Sequence, residues 1–150
     1  MEEIIEFLTE YTEFFEQMEM KQAEKLGMIL TKELNKIESA LLLEESMEKQ
    51  MRNLEKRRLD FFASHGLEGR SFRELVEESR GEERETLRQL QQRLEGAIGN
   101  IRYYNEKSNG LAREELIRLK GEGSFTDNPA GIYSPSSLPP RKGQKLEKKA

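Results

Sequence analysis

The first 128 residues of this 150-residue chain contain no proline, and the four prolines are Pro129, Pro135, Pro139 and Pro140. Proline inside a helix removes a backbone hydrogen bond and clashes with the preceding turn, so a segment without proline can form very long helices. The chain also has a single valine, Val76, whereas strands favour β-branched residues. The sequence therefore predicts an all-α protein with no β-sheet.

The composition indicates that the helices share only a thin apolar core. Charged residues make up 36% of the chain and hydrophobic residues 35%, whereas an ordinary soluble domain has roughly 25% charged residues. The length fits one domain. Basic residues prevail after residue 121, together with proline, glycine and serine. We therefore predict an acidic helical coiled-coil bundle over residues 1–121, followed by a flexible, disordered basic tail over residues 122–150.

Apolar residues recur at helical spacing in three long stretches. The first stretch is Ile4, Leu8, Tyr11, Phe15 and Met18, and the second is Leu30, Leu34, Ile37, Leu41, Met47, Met51, Leu54 and Phe61. The third runs from about residue 82 to 120 through Leu87, Leu90, Leu94, Ala97, Ile98, Ile101, Asn105, Ala112, Leu116 and Leu119. These stretches predict an elongated antiparallel helical hairpin or bundle of three long helices.

Local signals mark where these helices begin and end. Gly27 indicates either a bend or a helix end, with Thr31 as a possible N-cap of the second helix. Gly66 suits the left-handed position that closes that helix. Residues 71–74, Ser-Phe-Arg-Glu, form a capping box that predicts a short fourth helix to about residue 79. Asn109 and Gly110 could form a turn, but helical spacing resumes after them, so we predict a continuous helix.

The sequence offers no recognisable catalytic chemistry. It has no cysteine and a single histidine, His65, which we expect to lie exposed or at a helix C-terminus. Ser64 and Asp60 crowd the same helix end, so a catalytic triad cannot form there. No Glu-x-x-His motif is present for a di-metal site. We therefore predict no catalytic residue, cofactor or metal, and a chain that is not an enzyme.

The charge and hydropathy patterns also restrict location and partners. No apolar run approaches the roughly 18 residues of a membrane span, and the acidic N-terminus does not resemble a signal peptide. The sequence pI near 5.3 disfavours nucleic-acid binding. We expect a cytoplasmic protein that does not insert stably into membranes.

Two features are unusual for a plain helical bundle. Asn105 occupies a seam position where an apolar residue is expected, and a buried asparagine can fix register or hold a partner. Asn109 lies one turn later. Ile132 and Tyr133 form an apolar pair in an otherwise polar tail, which is typical of a short docking motif. With so thin a core, we expect the seam from Asn105 to Leu119 to lack a partner within the chain.

The layout resembles the FlgN-type flagellar export chaperones. The matching parts are the long acidic N-terminal helices, residues 54–58 (Leu-Glu-Lys-Arg-Arg), the short helix at residues 72–75 and the tail Tyr133-Ser134-Pro135. The most specific part is Asn105-x-x-x-Asn109-Gly110-Leu111, which looks like the family's paired asparagines before a leucine-rich turn. The resemblance covers roughly residues 5–137. The family's tail tyrosine is followed by small residues and glycine, whereas proline follows Ser134 here.

The resemblance implies a protein-binding function for this chain. It implies that the chain binds the C-terminal helical segments of hook–filament junction proteins, FlgK and FlgL, and keeps them monomeric and competent for type III export. The client-binding residues that we predict are Ile101, Tyr104, Asn105, Asn109, Ala112, Leu116 and Leu119. The resemblance also implies that Tyr133 docks on the export gate, FlhA. We expect a monomer or weak homodimer; the alternative is a structural coiled-coil protein that self-associates without a client.

Overall fold

The computed structural model describes residues 1–120, which form four helices and no strand. The helices are α1 (Glu2–Leu30), α2 (Leu34–Ser64), α3 (Phe72–Glu78) and α4 (Gly81–Lys120). This arrangement confirms the predicted all-α class with three long helices and one short one. The tail over residues 122–150, including the motif at Tyr133, lies outside the described residues.

The first two long helices form an antiparallel hairpin. Near its open end, Glu3 Oε2 lies 2.9 Å from His65 Nε2, and towards its closed end Lys25 Nζ lies 2.6 Å from Glu44 Oε1. The predicted helix end at Gly27 and the predicted N-cap at Thr31 were wrong, because α1 continues through the exposed Gly27 to Leu30 and Glu33 is the N-cap of α2. Helix interiors tolerate an exposed glycine at a cost of about 1 kcal/mol.

The third long helix runs parallel to α1 and antiparallel to α2. Arg93 of α4 donates to both carboxylate oxygens of Glu16 at 3.0 and 2.6 Å, and Asn100 donates to Glu19 at 2.6 Å. The partners of both pairs advance along the two helices in the same direction. The result is an up–down–up bundle, in which the segment containing α3 returns the chain from the end of α2 to the start of α4.

The two predicted local signals in that returning segment are confirmed. Gly66 has a φ of +71°, and the Leu67 N–H donates to the Phe62 carbonyl at 2.7 Å, which closes α2 in a Schellman arrangement. The Ser71 hydroxyl accepts from the Glu74 N–H while the Glu74 carboxylate accepts from the Ser71 N–H, both at 3.1 Å. The chain between the long helices is therefore fixed by local hydrogen bonds.

The buried apolar side chains fall into two separate groups. The proximal core, at the open end of the hairpin, contains Leu8, Tyr11, Phe15, Met18, Met47, Leu54, Phe62, Phe72, Leu75, Val76, Leu87, Leu90, Leu94, Ala97, Ile98 and Ile101. Among the described residues, the distal cluster near the α1–α2 connection contains Ile29, Ile37, Ala40, Ala112 and Leu116, and Met28, Leu41 and Leu111 are half-buried against it. The predicted seams of α1 and α4 supply most of the proximal core but only Ala112 and Leu116 of the distal cluster.

The predicted seam of α2 is displaced by one residue at two points. Ala40 and Phe62 are buried, whereas the predicted Leu41 and Phe61 are half-buried. Both neighbouring positions are apolar in each case, so the sequence pattern alone does not select between them. The choice follows from where α1 and α4 contact this helix.

Candidate protein-binding end of the bundle

A cluster of buried and half-buried polar side chains lies between the proximal core and the distal cluster. Lys25 of α1 is only 1% exposed, and its ammonium group donates to Glu44 Oε1 at 2.6 Å, Asn105 Oδ1 at 2.9 Å and Asn109 Oδ1 at 3.5 Å. Gln22 Nε2 donates to the same Glu44 oxygen at 3.3 Å. We call these five residues the polar layer. It joins the three long helices at one level.

The geometry of the polar layer suits a protonated lysine. Three oxygen atoms accept from the three N–H donors of an ammonium group, and Asn109 Nδ2 donates to Asn105 Oδ1 at 3.2 Å, which orients both amides. Burial lowers the pKa of Lys25, and the nearby Glu44 carboxylate opposes that effect. Burial likewise raises the pKa of Glu44 against the attraction of Lys25. The layer is therefore a costly buried ion pair with its donors satisfied.

Two of the five residues of this layer were predicted from the sequence. Asn105 and Asn109 were identified as unusual, but their principal contact is Lys25, about 80 residues earlier in the chain. A signal for Lys25 was present: the spacing from Met18 to Gln22, Lys25 and Ile29 is 4, 3 and 4 residues, so the α1 seam continues through two polar positions. Lys25, Glu44 and Asn105 are polar residues in the seams of α1, α2 and α4. One such residue in each seam indicates that the three side chains meet in the folded bundle.

The predicted client-binding residues lie at three different depths. Ile101 belongs to the proximal core, and Tyr104 is half-buried. Ala112 and Leu116 are 0% and 4% exposed in the distal cluster, so the expectation that this seam lacks a partner within the chain was wrong. The residues that cover them are Ile29, Ile37 and Ala40. Among the predicted residues, Leu119 is the one that the bundle leaves exposed, at 38%.

Leu119 belongs to a group of exposed apolar side chains at the distal end. Leu34 precedes the buried Ile37 by three residues, and Leu119 follows the buried Leu116 by three residues, so each continues a seam beyond the distal cluster. Leu30, which ends α1, is 56% exposed, and Leu34 is 37% exposed. We call Leu30, Leu34 and Leu119 the tip residues. At Leu34 and Leu119 the apolar seam continues beyond the residues that pack over it.

A second apolar surface lies between α1 and α2 at the opposite end. Phe7, Phe14 and Leu54 line a shallow groove of about 220 Å³, and Glu10 and Glu13 lie at its edge. The Phe7 ring stacks on Phe61 with 4.1 Å between the ring centroids. Phe7 and Phe14 are half-buried, so aromatic surface remains accessible beside exposed carboxylates.

His65 lies beside this second surface, at the C-cap of α2. Its ring stacks on Phe61 with 4.0 Å between centroids, Nδ1 lies 2.9 Å from the Phe61 carbonyl and Nε2 lies 2.9 Å from the Glu3 carboxylate. These two oxygen atoms raise the pKa of the imidazole. The predicted position at a helix C-terminus is confirmed.

Within residues 1–120, no group of three or more histidine, aspartate or glutamate side chains could hold a metal ion. In the same part of the chain, no helix is long and apolar enough to cross a membrane.

Comparison with known proteins yields no relative: no protein-family model, curated protein or solved structure matches the chain. The resemblance to the FlgN-type chaperones therefore remains a prediction from the sequence motifs.

Proposed function

We propose that the chain is a cytoplasmic flagellar export chaperone, which holds the C-terminal helical segment of a FlgK- or FlgL-like junction protein. The sequence motifs suggest the client, and the exposed tip residues Leu30, Leu34 and Leu119 support a binding surface at the distal end. Single exposed leucines are common on soluble proteins. Leucines that continue a packed seam are different, because another helix can extend the same packing.

The proposed contact is the addition of one amphipathic client helix to the distal end of the bundle. Such a helix presents apolar residues every three or four positions, and it can cover the tip residues while its polar face stays in water. Leu119 contacts the client directly in this arrangement. Ala112 and Leu116 lie beneath it and support the surface unless the distal cluster opens.

The alternative function, a structural coiled coil without a client, would use the same apolar tip for self-association. In that case Asn105 would be expected to pair with its own copy. Its side-chain oxygen instead accepts from Lys25 within the chain at 2.9 Å. This contact removes the support that Asn105 would give to the alternative. Equilibrium sedimentation tests the alternative directly, because a stable high-order oligomer at low concentration would support it.

The client hypothesis is tested by size-exclusion chromatography of the chain mixed with purified FlgK or FlgL. We expect a stable complex. The double substitution Leu34→Asp and Leu119→Asp should weaken it at least about tenfold, because two charges would be placed in the proposed apolar contact. Both side chains are already partly in water, so the bundle should remain folded.

The matched control is Leu42→Asp and Leu59→Asp, which alters two α2 leucines that are 67% and 53% exposed and lie outside the tip. This control should bind like the unaltered chain. Equal losses in both double variants would reject the tip as the binding surface, and failure of the unaltered chain to bind either junction protein would reject the proposed clients.

A further inference from the structure

The aromatic groove between α1 and α2 lies on the most acidic part of the chain. Residues 1–20 contain seven glutamates and no lysine or arginine. Glu10 and Glu13 line the groove and are exposed, and its half-buried apolar side chains are Phe7 and Phe14. An occupant with complementary chemistry would carry several cations around an apolar side chain.

The chain itself contains a segment of that chemistry. Residues 141–149 read Arg-Lys-Gly-Gln-Lys-Leu-Glu-Lys-Lys, with five basic residues, one acidic residue and a single apolar residue, Leu146. The one cation that lines the groove is Arg57, and the one acidic residue of the segment is Glu147. The charges of groove and segment are thus complementary in both signs.

The length of chain after α4 allows this segment to reach the groove. Leu116 packs in the distal cluster with Ile29, and Phe14 lies fifteen residues before Ile29, or about 23 Å along α1 at 1.5 Å per residue. Lys120 lies four residues beyond Leu116 on α4, one helix width away from α1. The distance from Lys120 to the groove at Phe14 is therefore roughly 30 Å. Twenty residues separate Lys120 from the segment, and the root-mean-square span of a random coil of that length is about 25 Å.

We propose that residues 141–149 dock in cis on the aromatic groove, with Leu146 on Phe7 and Phe14 and the flanking lysines beside Glu10 and Glu13. A linker whose span matches the distance gives an effective concentration in the millimolar range, so even weak contacts become populated. This inference does not depend on the proposed client.

The test uses the full chain, which has no native cysteine, so Ala150→Cys provides a single site for a nitroxide spin label. Amide signals of ¹⁵N-labelled protein are compared with the label oxidised and reduced. We expect broadening of amides at residues 7–17 and 54–57, unchanged on tenfold dilution. In 1 M NaCl the broadening should fall at least about tenfold, because the Debye length drops to about 3 Å.

Two charge-reversed variants of equal net charge provide the decisive comparison. Glu10→Lys with Glu13→Lys should abolish the broadening, whereas Glu38→Lys with Glu45→Lys, at exposed α2 positions outside the groove, should retain it. Neutralising the segment with Lys145→Gln, Lys148→Gln and Lys149→Gln should also abolish it without altering the bundle. Circular dichroism checks that each variant is folded.

Three results would overturn the proposal. Absent or uniform broadening would show that the segment does not select the groove. Broadening that weakens on dilution would show that it docks on a second copy of the chain. Equal broadening in the two charge-reversed variants would show that Glu10 and Glu13 do not attract it.

Discussion

The two ends of the bundle differ in the number and size of their buried apolar side chains. The proximal core combines aromatic and long aliphatic side chains from all four helices, among them Phe15, Phe62 and Leu94. The distal cluster has five members, and two of them are Ala40 and Ala112. Buried apolar area is the main source of stability in a small domain. The proximal end therefore supplies most of the free energy that holds the bundle together.

The polar layer determines how independent the two ends are. Lys25 and its oxygen partners interrupt the apolar seam, so side-chain packing does not run continuously from one end to the other. Buried ion pairs contribute little net stability but penalise wrong alignments, because a shifted register would leave Lys25 without its partners. We therefore predict that polar contacts specify the alignment of the distal end, and that this end opens while the proximal core stays packed.

The largest expected effect is a difference in the free energy of unfolding between one leucine-to-alanine substitution at each end. Leu94 is 2% exposed in the proximal core and Leu116 is 4% exposed in the distal cluster. We expect Leu94→Ala to lower the free energy of unfolding by about 3–4 kcal/mol. Leu116→Ala should lower it by only about 1–2 kcal/mol, since the loss cannot exceed the free energy of opening the distal end.

Urea denaturation followed by circular dichroism measures both values, and native-state amide exchange separates local opening from global unfolding. The distal amides should exchange faster in Leu116→Ala while those around Leu94 keep their protection. Equal losses of stability in the two variants would mean that the bundle has a single cooperative core, and the contrast between its ends would be wrong.

The second prediction concerns the boundary between the two ends. Lys25→Met removes the cation from the polar layer and leaves Glu44 partly buried without its partner. We expect a loss of about 2–3 kcal/mol in the free energy of unfolding, below the largest values for buried pairs because the Glu44 side chain is 17% exposed. Adding Glu44→Met should restore most of that loss, since apolar replacements of similar volume are tolerated.

The control for this pair is Lys49→Met, which alters an exposed lysine of α2 and should change stability by less than about 0.5 kcal/mol. If the double variant were no more stable than Lys25→Met alone, the cost would come from packing around residue 25 and not from the unpaired charge of Glu44.

The sequence predicted the helices well because their signals are local. Apolar spacing, the capping box at Ser71 and the glycine at position 66 each depend on a few neighbouring residues. The α1–α2 connection was misplaced because the local cost of Gly27 is small, and burial of Ile29 two residues later outweighs it. A helix end is decided by packing where the local signal is weak.

The candidate site was predicted less well because its geometry depends on topology. The pairing of Lys25 with Asn105 requires α1 and α4 to run parallel in one register, and no local pattern states that register. Without it, Asn105 looked like a contact for a partner outside the chain. The unknown register also explains the error at Leu116, which was expected to lack a partner within the chain but packs against α1 and α2.

The smallest predicted effect is a pH-dependent contribution of His65 to stability, which should be confined to the proximal end. The Glu3 carboxylate and the Phe61 carbonyl raise the pKa of His65 above its ordinary value near 6.5. Protonated His65 therefore stabilises the fold fully below pH 6.5, and this contribution is lost as the pH rises through the raised pKa. The thermal midpoint of the unaltered chain should exceed that of His65→Gln by more at pH 5.5 than at pH 8.5.

This contribution is small because the ring and the Glu3 carboxylate are both exposed, and high salt should reduce it. Glu3→Gln is the control that retains the histidine, and it should remove most of the pH-dependent difference. A difference that stays constant across this range would show that stacking on Phe61, and not charge, is what His65 supplies. Because the contact joins the start of α1 to the end of α2, the pH effect should appear in amide protection at those residues and leave the distal cluster unchanged.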